Sequence, residues 1–374
     1  MQKNNMKKIN LFKWAQRAVG IVLAASYIAA IYSVINTNMA PTKYLVFAVP
    51  VSFLVVVLLV IANFKAKKLS RSKKIGIIIA SFIMIVANIF VSSISSDLMS
   101  LLNNIQDDGY GIITESDQHI KLTKPFTLYI SGIDTYGDIS TMSRSDVNIM
   151  VVINPQTHKI LLVNTPRDYY VQLHGTTGLK DKLTHSGIYG INMSVNTMED
   201  LYSVPINYYL RINFSSLTKI IDALGGVDVN SQYKFTADGY LFNVGVNHLN
   251  GNQALAFSRE RHSFEGGDRT RGSNQELVIE AIIAKMNDSQ TIINYQQILA
   301  SLNGVIQTNM SSSDISKLIS AQLNDMSKWN VESIGVTGTD SNNYTYSMGN
   351  IPLYVMEPDM TSVDTAKQAI QQYL

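Results

Sequence analysis

Three long apolar runs, about Ala18–Ile35, Tyr44–Phe64 and Ile75–Ile94, fill the first quarter of the chain, and no acidic residue precedes Asp97. Each is near the roughly 20 residues that cross a bilayer as a helix. A buried core helix is rarely so free of charge, and a cleaved signal peptide is not followed by two more such runs. The pattern predicts three transmembrane helices. It then changes period. Phe126–Ile133 alternates and is rich in β-formers, which predicts a strand, and Val147–Ile153 and Lys159–Thr165 predict two more, joined by the turn Asn154-Pro155-Gln156-Thr157. Asn192–Val204 reads as a capped helix, Asn207–Phe214 as a strand, and Ser215–Leu224 as an amphipathic helix stopped by Gly225. A strand starts within the run LGGVDV, and Asn250 caps a short helix. Helices follow near Ser273–Met286, Ile292–Leu302 and Ser313–Met326, then strands near Val331–Val336 and Ile351–Met356, and a last helix from Thr361 or Ser362. Strands interleaved with helices predict a layered α/β domain with a mixed sheet. The expected division is a cytoplasmic N-terminus and membrane anchor over 1–96, a stalk over 97–120 and a globular domain over 121–374.

Charge orients this arrangement. The N-terminus carries Lys3, Lys7, Lys8, Lys13 and Arg17, and the second connection carries Lys65, Lys67, Lys68, Arg71, Lys73 and Lys74, against Lys43 alone in the first. By the positive-inside rule the N-terminus is cytoplasmic and everything after Ser96 is outside. The whole chain is +2, but twelve of its thirty Lys and Arg precede Asp97, which leaves eighteen basic against twenty-eight acidic residues from Asp97 onward, a net charge of −10. An acidic outer domain makes a poor generic polyanion binder and argues against nucleic acid, which needs a broad basic face. With no cysteine, neither disulfides nor thiolate metal sites are available, so the domain relies on core packing.

Against that acidic background one stretch stands out. Phe257–Gln275 holds Arg259, Arg261, Arg269 and Arg271 with Glu260, Glu265 and Asp268 between them and two glycines at the bend. Guanidinium groups, a Gly-rich turn and a following helix start are three means of holding phosphate oxygens, though a solvated loop of salt bridges is the competing reading. If the first three strands form a meander, Asp134, Arg144, Asp146, Arg167 and Asp168 meet at one edge of the sheet. Asp134 and Asp146 are the metal candidates, since Mg²⁺ is usually held by one or two carboxylates together with substrate phosphates; turn chemistry is the alternative. Of seven arginines in the outer domain, Arg144, Arg167, Arg259, Arg261, Arg269 and Arg271 fall in loops that can meet, and Arg211 alone lies in a predicted strand. Lys182 and His185, in the polar segment DKLTHSG, offer a phosphate contact or a proton carrier, or are merely solvated. No Gly-x-Ser-x-Gly elbow, P-loop or His-Glu-x-x-His motif occurs.

Taken together, SGID at 131–134, SRSD at 143–146, NTPRDYYV at 164–171, DKLTH at 181–185, LGGVDV at 224–229, LNGNQALAFSRER at 249–261 and D-x-x-R-x-x-N-Q ending at Gln275 resemble the LytR-CpsA-Psr family of Gram-positive cell-wall proteins. The three-helix anchor looks like its capsule-associated branch. Two features depart from the pattern: only a stalk stands where that branch often has an accessory domain, and Asn274 occupies a position where many members have arginine. The resemblance implies an α-β-α sandwich with an apolar tunnel for a lipid tail. It implies a phosphotransferase using Mg²⁺ (or Mn²⁺) that moves a capsular, exopolysaccharide or teichoic-acid type glycopolymer from a polyprenyl-pyrophosphate carrier to peptidoglycan, forming a phosphodiester. Carried over by position, Asp134 and Asp146 hold the metal, and Arg144, Arg167, Arg259, Arg261, Arg271 and Gln275 contact the phosphates. Arg144 would serve the chemistry with the two aspartates. Lys182, His185, Asp168 and Asp268 are further candidates, and Arg269 is a rim residue. The implied partners are the lipid-linked glycopolymer, peptidoglycan, membrane lipid and other polysaccharide-assembly proteins, at the cell membrane with the C-terminal domain extracellular. A polyprenyl-pyrophosphate phosphatase and a non-catalytic lipid-binding regulator are the alternative readings.

Overall fold

The computed structural model describes residues 2–65, 69–106, 123–265, 268–286, 288, 295–302 and 304–374. It falls into two compact units, one of Met1–Ser100 with Ile315–Asp325, the other of Leu101–Asp314 with Met326–Leu374. The first holds helices α1 (Gln2–Thr37) and α2 (Thr42–Lys65) and most of α3 (Arg71–Ile105). The spans Phe12–Thr37, Thr42–Lys65 and Arg71–Ile105 are long and apolar enough to cross a membrane. Phe47, Phe53, Phe82 and Phe90 stand exposed on them, as lipid-facing side chains do. Polar groups turn inward: the Tyr27 hydroxyl donates to the Val49 carbonyl at 3.0 Å, Asn63 Nδ2 to Ser81 Oγ at 2.8 Å, and Asn88 Nδ2 to Ser26 Oγ at 3.1 Å. Such bonds and small side chains are what tie helices together in lipid. The first residues of the expected stalk continue α3 to Ile105; the rest of it from 107 to 120 lies outside the described residues.

The second unit is built on the predicted meander. Strands β1 (Phe126–Ile133), β2 (Ser145–Asn154) and β3 (Lys159–Asn164) pair antiparallel in sequence order. Two short strands, β4 (Tyr170–Val171) and β5 (Asp181–Lys182), form a ribbon ahead of α4 (Ile191–Tyr202). Next come β6 (Tyr208–Asn213), α5 (Phe214–Ala223), β7 (Val227–Ser231), β8 (Phe235–Ala237), β9 (Tyr240–Phe242) and β10 (Gly245–Leu249). Helices α6 (Gly251–Arg259), α7 (Asp268–Met286) and α8 (Tyr295–Ser301) lead to β11 (Ile306–Thr308) and then to α9 (Ser312–Asp325), of which Ile315–Asp325 belongs to the first unit. The chain closes with β12 (Asn330–Gly335), the ribbon β13 (Gly338–Tyr344) and β14 (Pro352–Pro358), and α10 (Met360–Tyr373). The central sheet has the order β11-β6-β1-β2-β3-β12 and is mixed, with β1 parallel to β6 and β3 parallel to β12.

Alternation along the strands explains the layers. Tyr129, Met150, Val152, Leu161 and Val163 face one side, where Val195 and Met198 of α4 and Val363 and Ile370 of α10 pack. Leu128, Ile130, Ile149, Val151, Ile160 and Leu162 face the other, against Ile279 and Ile283 of α7. Both faces are covered, so the domain is an α-β-α sandwich with a mixed sheet.

Two local features fix the edge that carries the aspartates and arginines of the meander. The β1–β2 register pairs Gly132 with Val147 but Ile133 with Ser145, so Asp146 is the extra residue of a β-bulge. A bulge re-aims the side chain it carries. Gly187, in the 3₁₀ turn Leu183–Tyr189, presses on the same place: a Cβ there would lie 2.5 Å from the Ser143 carbonyl and 2.7 Å from the Ser145 nitrogen. Gly187→Ala is therefore expected to destabilise the domain by about 1–3 kcal/mol through overpacking against rigid backbone. It should also reduce function beyond that loss by displacing Arg144 and Asp146. Denaturation and turnover measured on the same full-chain preparation check both.

Candidate active site

β1, β3, β6 and β12 run in one direction, so their carboxyl ends, at Ile133, Asn164, Asn213 and Gly335, lie along one edge of the sheet. Ligands in open α/β sheets bind at that edge. A cleft of about 440 Å³ opens there, and Asp134, Arg144, Asp146, Arg167, Arg259, Arg261, Arg271 and Gln275 all line it. Its deeper wall is apolar, with Leu217, Ala237, Ala256, Val278 and Ile279. The arginine stretch and the meander edge, far apart in sequence, thus share one wall.

Arg144 does not pair with Asp146, its neighbour two residues on. Arg144 Nη2 instead lies 3.1 Å from Asp134 Oδ2, while Asp146 Oδ2 takes Arg167 Nη1 at 2.8 Å and Asp146 Oδ1 takes the Thr184 hydroxyl at 2.9 Å. Arg167 Nε is also 3.5 Å from Asp168 Oδ2, and Asp168 Oδ1 is 2.6 Å from Lys182 Nζ. Asp146, Arg167, Asp168 and Lys182 form a row of alternating charge whose side chains are at most 16% exposed.

The helix-borne arginines are held differently. The α6 capping box, with Asn250 and Gln253 exchanging side-chain and backbone bonds, fixes the helix that ends at Arg259. The Arg259 guanidinium lies 4.6 Å from the Phe214 ring centroid, and Nη1 donates to the Tyr136 hydroxyl at 3.4 Å. Stacking keeps its planar fork oriented at the exposed rim. Arg261 Nε donates to His262 Nε2 at 3.3 Å, and His262 also lines the cleft. Helix α7 begins at Asp268, five residues before the expected start, which places Arg271 and Gln275 one helical turn apart on the cleft wall. Arg271 is buried. Asn274 does not take an arginine's place in the cleft; its Nδ2 donates to the Phe257 carbonyl at 3.4 Å and ties α7 to α6. The side chains of Asp268 and Arg269 and the glycines at 266–267 lie outside the described residues.

Lys182 and His185 do not line this cleft. The polar segment expected to be a loop is a packed turn: His185 Nδ1 is 2.7 Å from Asp181 Oδ1 and 2.8 Å from Ser347 Oγ, and the Ser347 nitrogen donates to Asp181 Oδ2. Burial alone would raise the Asp181 carboxyl, but bonds from His185, Ser347 and the Lys182 backbone outweigh it and hold the group below its ordinary value. Lys182 acts through Asp168 on the orientation of Arg167 rather than at the cleft surface. Arg211, the predicted strand arginine, is buried and donates to the Thr141 carbonyl of the β1–β2 loop at 2.9 Å.

A second cleft of about 260 Å³ shares Asp146, Arg167, Arg271 and Gln275 with the first and adds Asp168, Glu276 and Thr337. Burial pushes the Glu276 carboxyl above its ordinary value. Sequence reasoning missed Glu276, although it follows Gln275 directly, and missed Thr184 within DKLTH and the Tyr136–Phe214 support of Arg259. Tyr136 and Phe214 carried no signal beyond aromatic character. Among the described residues no group of three or more His, Cys, Asp and Glu side chains could hold a metal. Two carboxylates on one cleft wall suit Mg²⁺, which completes its shell with substrate phosphates and water, better than an ion that needs an all-protein cage.

Comparison with known proteins places these residues in context. The LytR_cpsA_psr family model matches residues 95–368. A polyisoprenyl-teichoic acid–peptidoglycan teichoic acid transferase, TagU of Enterococcus faecalis, is 33% identical over 255 residues, covering 67% of this chain and 84% of its own. The TagU of Bacillus mycoides is 35% identical over 240 residues, covering 63% and 77%. Among solved structures, TagV of B. subtilis aligns with a TM-score of 0.58 at 28% identity, covering 67% of this chain and 98% of that one. TagT bound to LI-WTA aligns with a TM-score of 0.54 at 25% identity, covering 70% and 94%.

The row of charges makes a testable claim on stability. Lys182→Met leaves Asp168 nearly buried beside a single cation, and the expected cost is on the order of 2 kcal/mol. Adding Asp168→Asn should recover most of it, a coupling that chemical denaturation of both single variants and the double variant measures. Additive losses would show that the pair is not one unit.

Proposed function

This chain belongs to the LytR_cpsA_psr family, and from that premise we propose that it transfers a glycopolymer from a polyprenyl-pyrophosphate carrier to peptidoglycan. The observation that carries the reading is the single cleft in which Asp134, Asp146, Gln275 and five arginines converge above an apolar wall. Planar guanidinium donors match pyrophosphate oxygens, and the apolar wall suits the start of a lipid chain. The similar TagU proteins are named as teichoic acid transferases, whereas the three-helix anchor resembles the capsule-associated branch; a capsular or teichoic-acid type polymer fits the same site.

In the proposed reaction an acceptor hydroxyl oxygen attacks the sugar-linked phosphorus. The bond from that phosphorus to the bridging oxygen breaks, polyprenyl phosphate leaves, and the hydroxyl proton passes to a carboxylate of the cleft. Arg144, Arg167, Arg259, Arg261 and Arg271 neutralise charge on the phosphates, and Gln275 donates a neutral hydrogen bond, which is the main demand of phosphoryl transfer. Asp134 and Asp146 would hold Mg²⁺ or Mn²⁺, which when bound supplies electrostatic stabilisation of the same oxygens. The proposed setting is the cell membrane, with the N-terminus cytoplasmic and the C-terminal domain on the extracellular side.

A phosphatase acting on the same carrier would use water in place of the sugar hydroxyl. Labelling the sugar-linked phosphorus separates the two. The transferase reading expects the label in a peptidoglycan-bound phosphodiester, with polyprenyl monophosphate as co-product. It also expects loss of product on chelation and recovery with Mg²⁺. Label found only in soluble phosphate or sugar phosphate would overturn it.

A further inference from the structure

In-line displacement brings the attacking oxygen to phosphorus opposite the leaving oxygen. Donor and acceptor must therefore approach the reacting centre from different sides. The two clefts meet this requirement, because Asp146, Arg167, Arg271 and Gln275 form a wall common to both. The larger cleft carries the apolar side chains Leu217, Ala237, Ala256, Val278 and Ile279 alongside its arginines. The smaller one sets the polar groups of Asp168, Glu276 and Thr337 beside Pro166, Val336 and Met356, a mixed lining of hydrogen-bonding and apolar surface.

What adjoins the smaller cleft is a sheet face with a distinct chemistry. Lys182 Nζ is 2.6 Å from Asp168 Oδ1 and 5.6 Å from the centroid of the Tyr354 ring, so one side chain joins the cleft wall to Tyr354. The β13–β14 register pairs Asn342 with Tyr354, Tyr344 with Pro352 and Asp340 with Met356, which puts Asp340, Asn342, Tyr344 and Tyr354 on one exposed face. Met356, two residues along from Tyr354, lines the cleft itself. Tyr346 packs edge-on to Tyr189 at 6.2 Å, and together Tyr189, Tyr344, Tyr346 and Tyr354 are 39–52% exposed.

This face is also held in place. The Tyr170 hydroxyl donates to the Tyr344 carbonyl at 2.7 Å, the Tyr354 hydroxyl to Asp340 Oδ1 at 2.9 Å, and the Tyr346 nitrogen to the Lys180 carbonyl at 2.9 Å. Rigid tyrosines interleaved with Asn and Asp present flat apolar surface and hydrogen-bonding edges at low entropic cost. A pyranose has the complementary character, with C–H groups on its faces and hydroxyls at its edge. The carboxylate of Asp340 works against an anionic lipid surface.

We propose that the smaller cleft and the tyrosine face at its rim bind the sugar backbone of the acceptor glycan, presenting its hydroxyl to the shared wall opposite the carrier. The assignment rests on the transferase reading, and its test avoids turnover altogether. Peptidoglycan glycan strands stripped of stem peptides are titrated, without donor, into the detergent-solubilised full chain by calorimetry and saturation-transfer NMR. Saturation of tyrosine ring protons should pass to sugar ring protons in the unsubstituted protein. The double substitution Tyr344→Ala with Tyr354→Ala should weaken binding about tenfold or more, whereas Tyr354→Phe should stay within about threefold. Unaltered affinity in the alanine variant, an absence of transfer to sugar protons, or binding of stem peptides but not stripped strands would each overturn the assignment. The phosphorus-label experiment decides the transferase reading independently.

Discussion

Four side chains of alternating charge, Asp146, Arg167, Asp168 and Lys182, set the geometry on which the rest of this molecule depends. Taking a charge out of water costs several kcal/mol, and the cost is offset only when each ion is neutralised and bonded on more than one side. Here Arg167 sits between two carboxylates, and Asp168 sits between two cations. The β-bulge turns Asp146 toward Arg167, and Thr184 occupies its other oxygen. The result fixes Asp146 and Arg167, which line both clefts, at the carboxyl ends of the sheet.

Arg271 is buried as well, but Arg144, Arg259 and Arg261 are placed by weaker means and stand nearer to solvent. Arg144 is half exposed beside Asp134, and Arg259 rests on Phe214. This division suits a ligand that arrives from outside. Buried charges supply fixed geometry, and exposed arginines supply donors whose existing partners are cheap to exchange, since exposed ion pairs contribute only about 0–1 kcal/mol. Because the chain from Asp97 onward carries a net charge of −10, long-range attraction does not favour a phosphate ligand. Short-range bidentate contact must do so instead.

Much of this was legible before any coordinates. Period-two alternation identified β1, β2 and β3, and their direction alone brought Asp134, Arg144, Asp146, Arg167 and Asp168 to one edge. The Asn250 cap and the Gly225 stop were visible because capping and positive backbone φ select few residue types. Strand β13, with the sequence GTDSNNY, was not visible, because a ribbon with one solvated face and little apolar content carries no alternation. The start of α7 was placed late because Asp268–Asn274 contains Gly272 and no apolar residue, so tertiary contact rather than propensity extends the helix. Pairing could not be read either. Which aspartate meets Arg144 depends on the bulge, and the packing of His185 against Asp181 and Ser347 joins residues more than 160 positions apart.

The proposed function requires above all that the arginine-lined cleft recognise a pyrophosphate attached to a lipid. Calorimetry of the full chain with geranyl pyrophosphate and with geranyl monophosphate, at fixed salt and Mg²⁺, measures it without requiring acceptor or turnover. The account predicts a preference for the pyrophosphate of about a hundredfold, and a collapse of that preference when Arg271 is replaced by methionine. Equal affinity for the two lipids, or a preference that survives loss of Arg271, would contradict it.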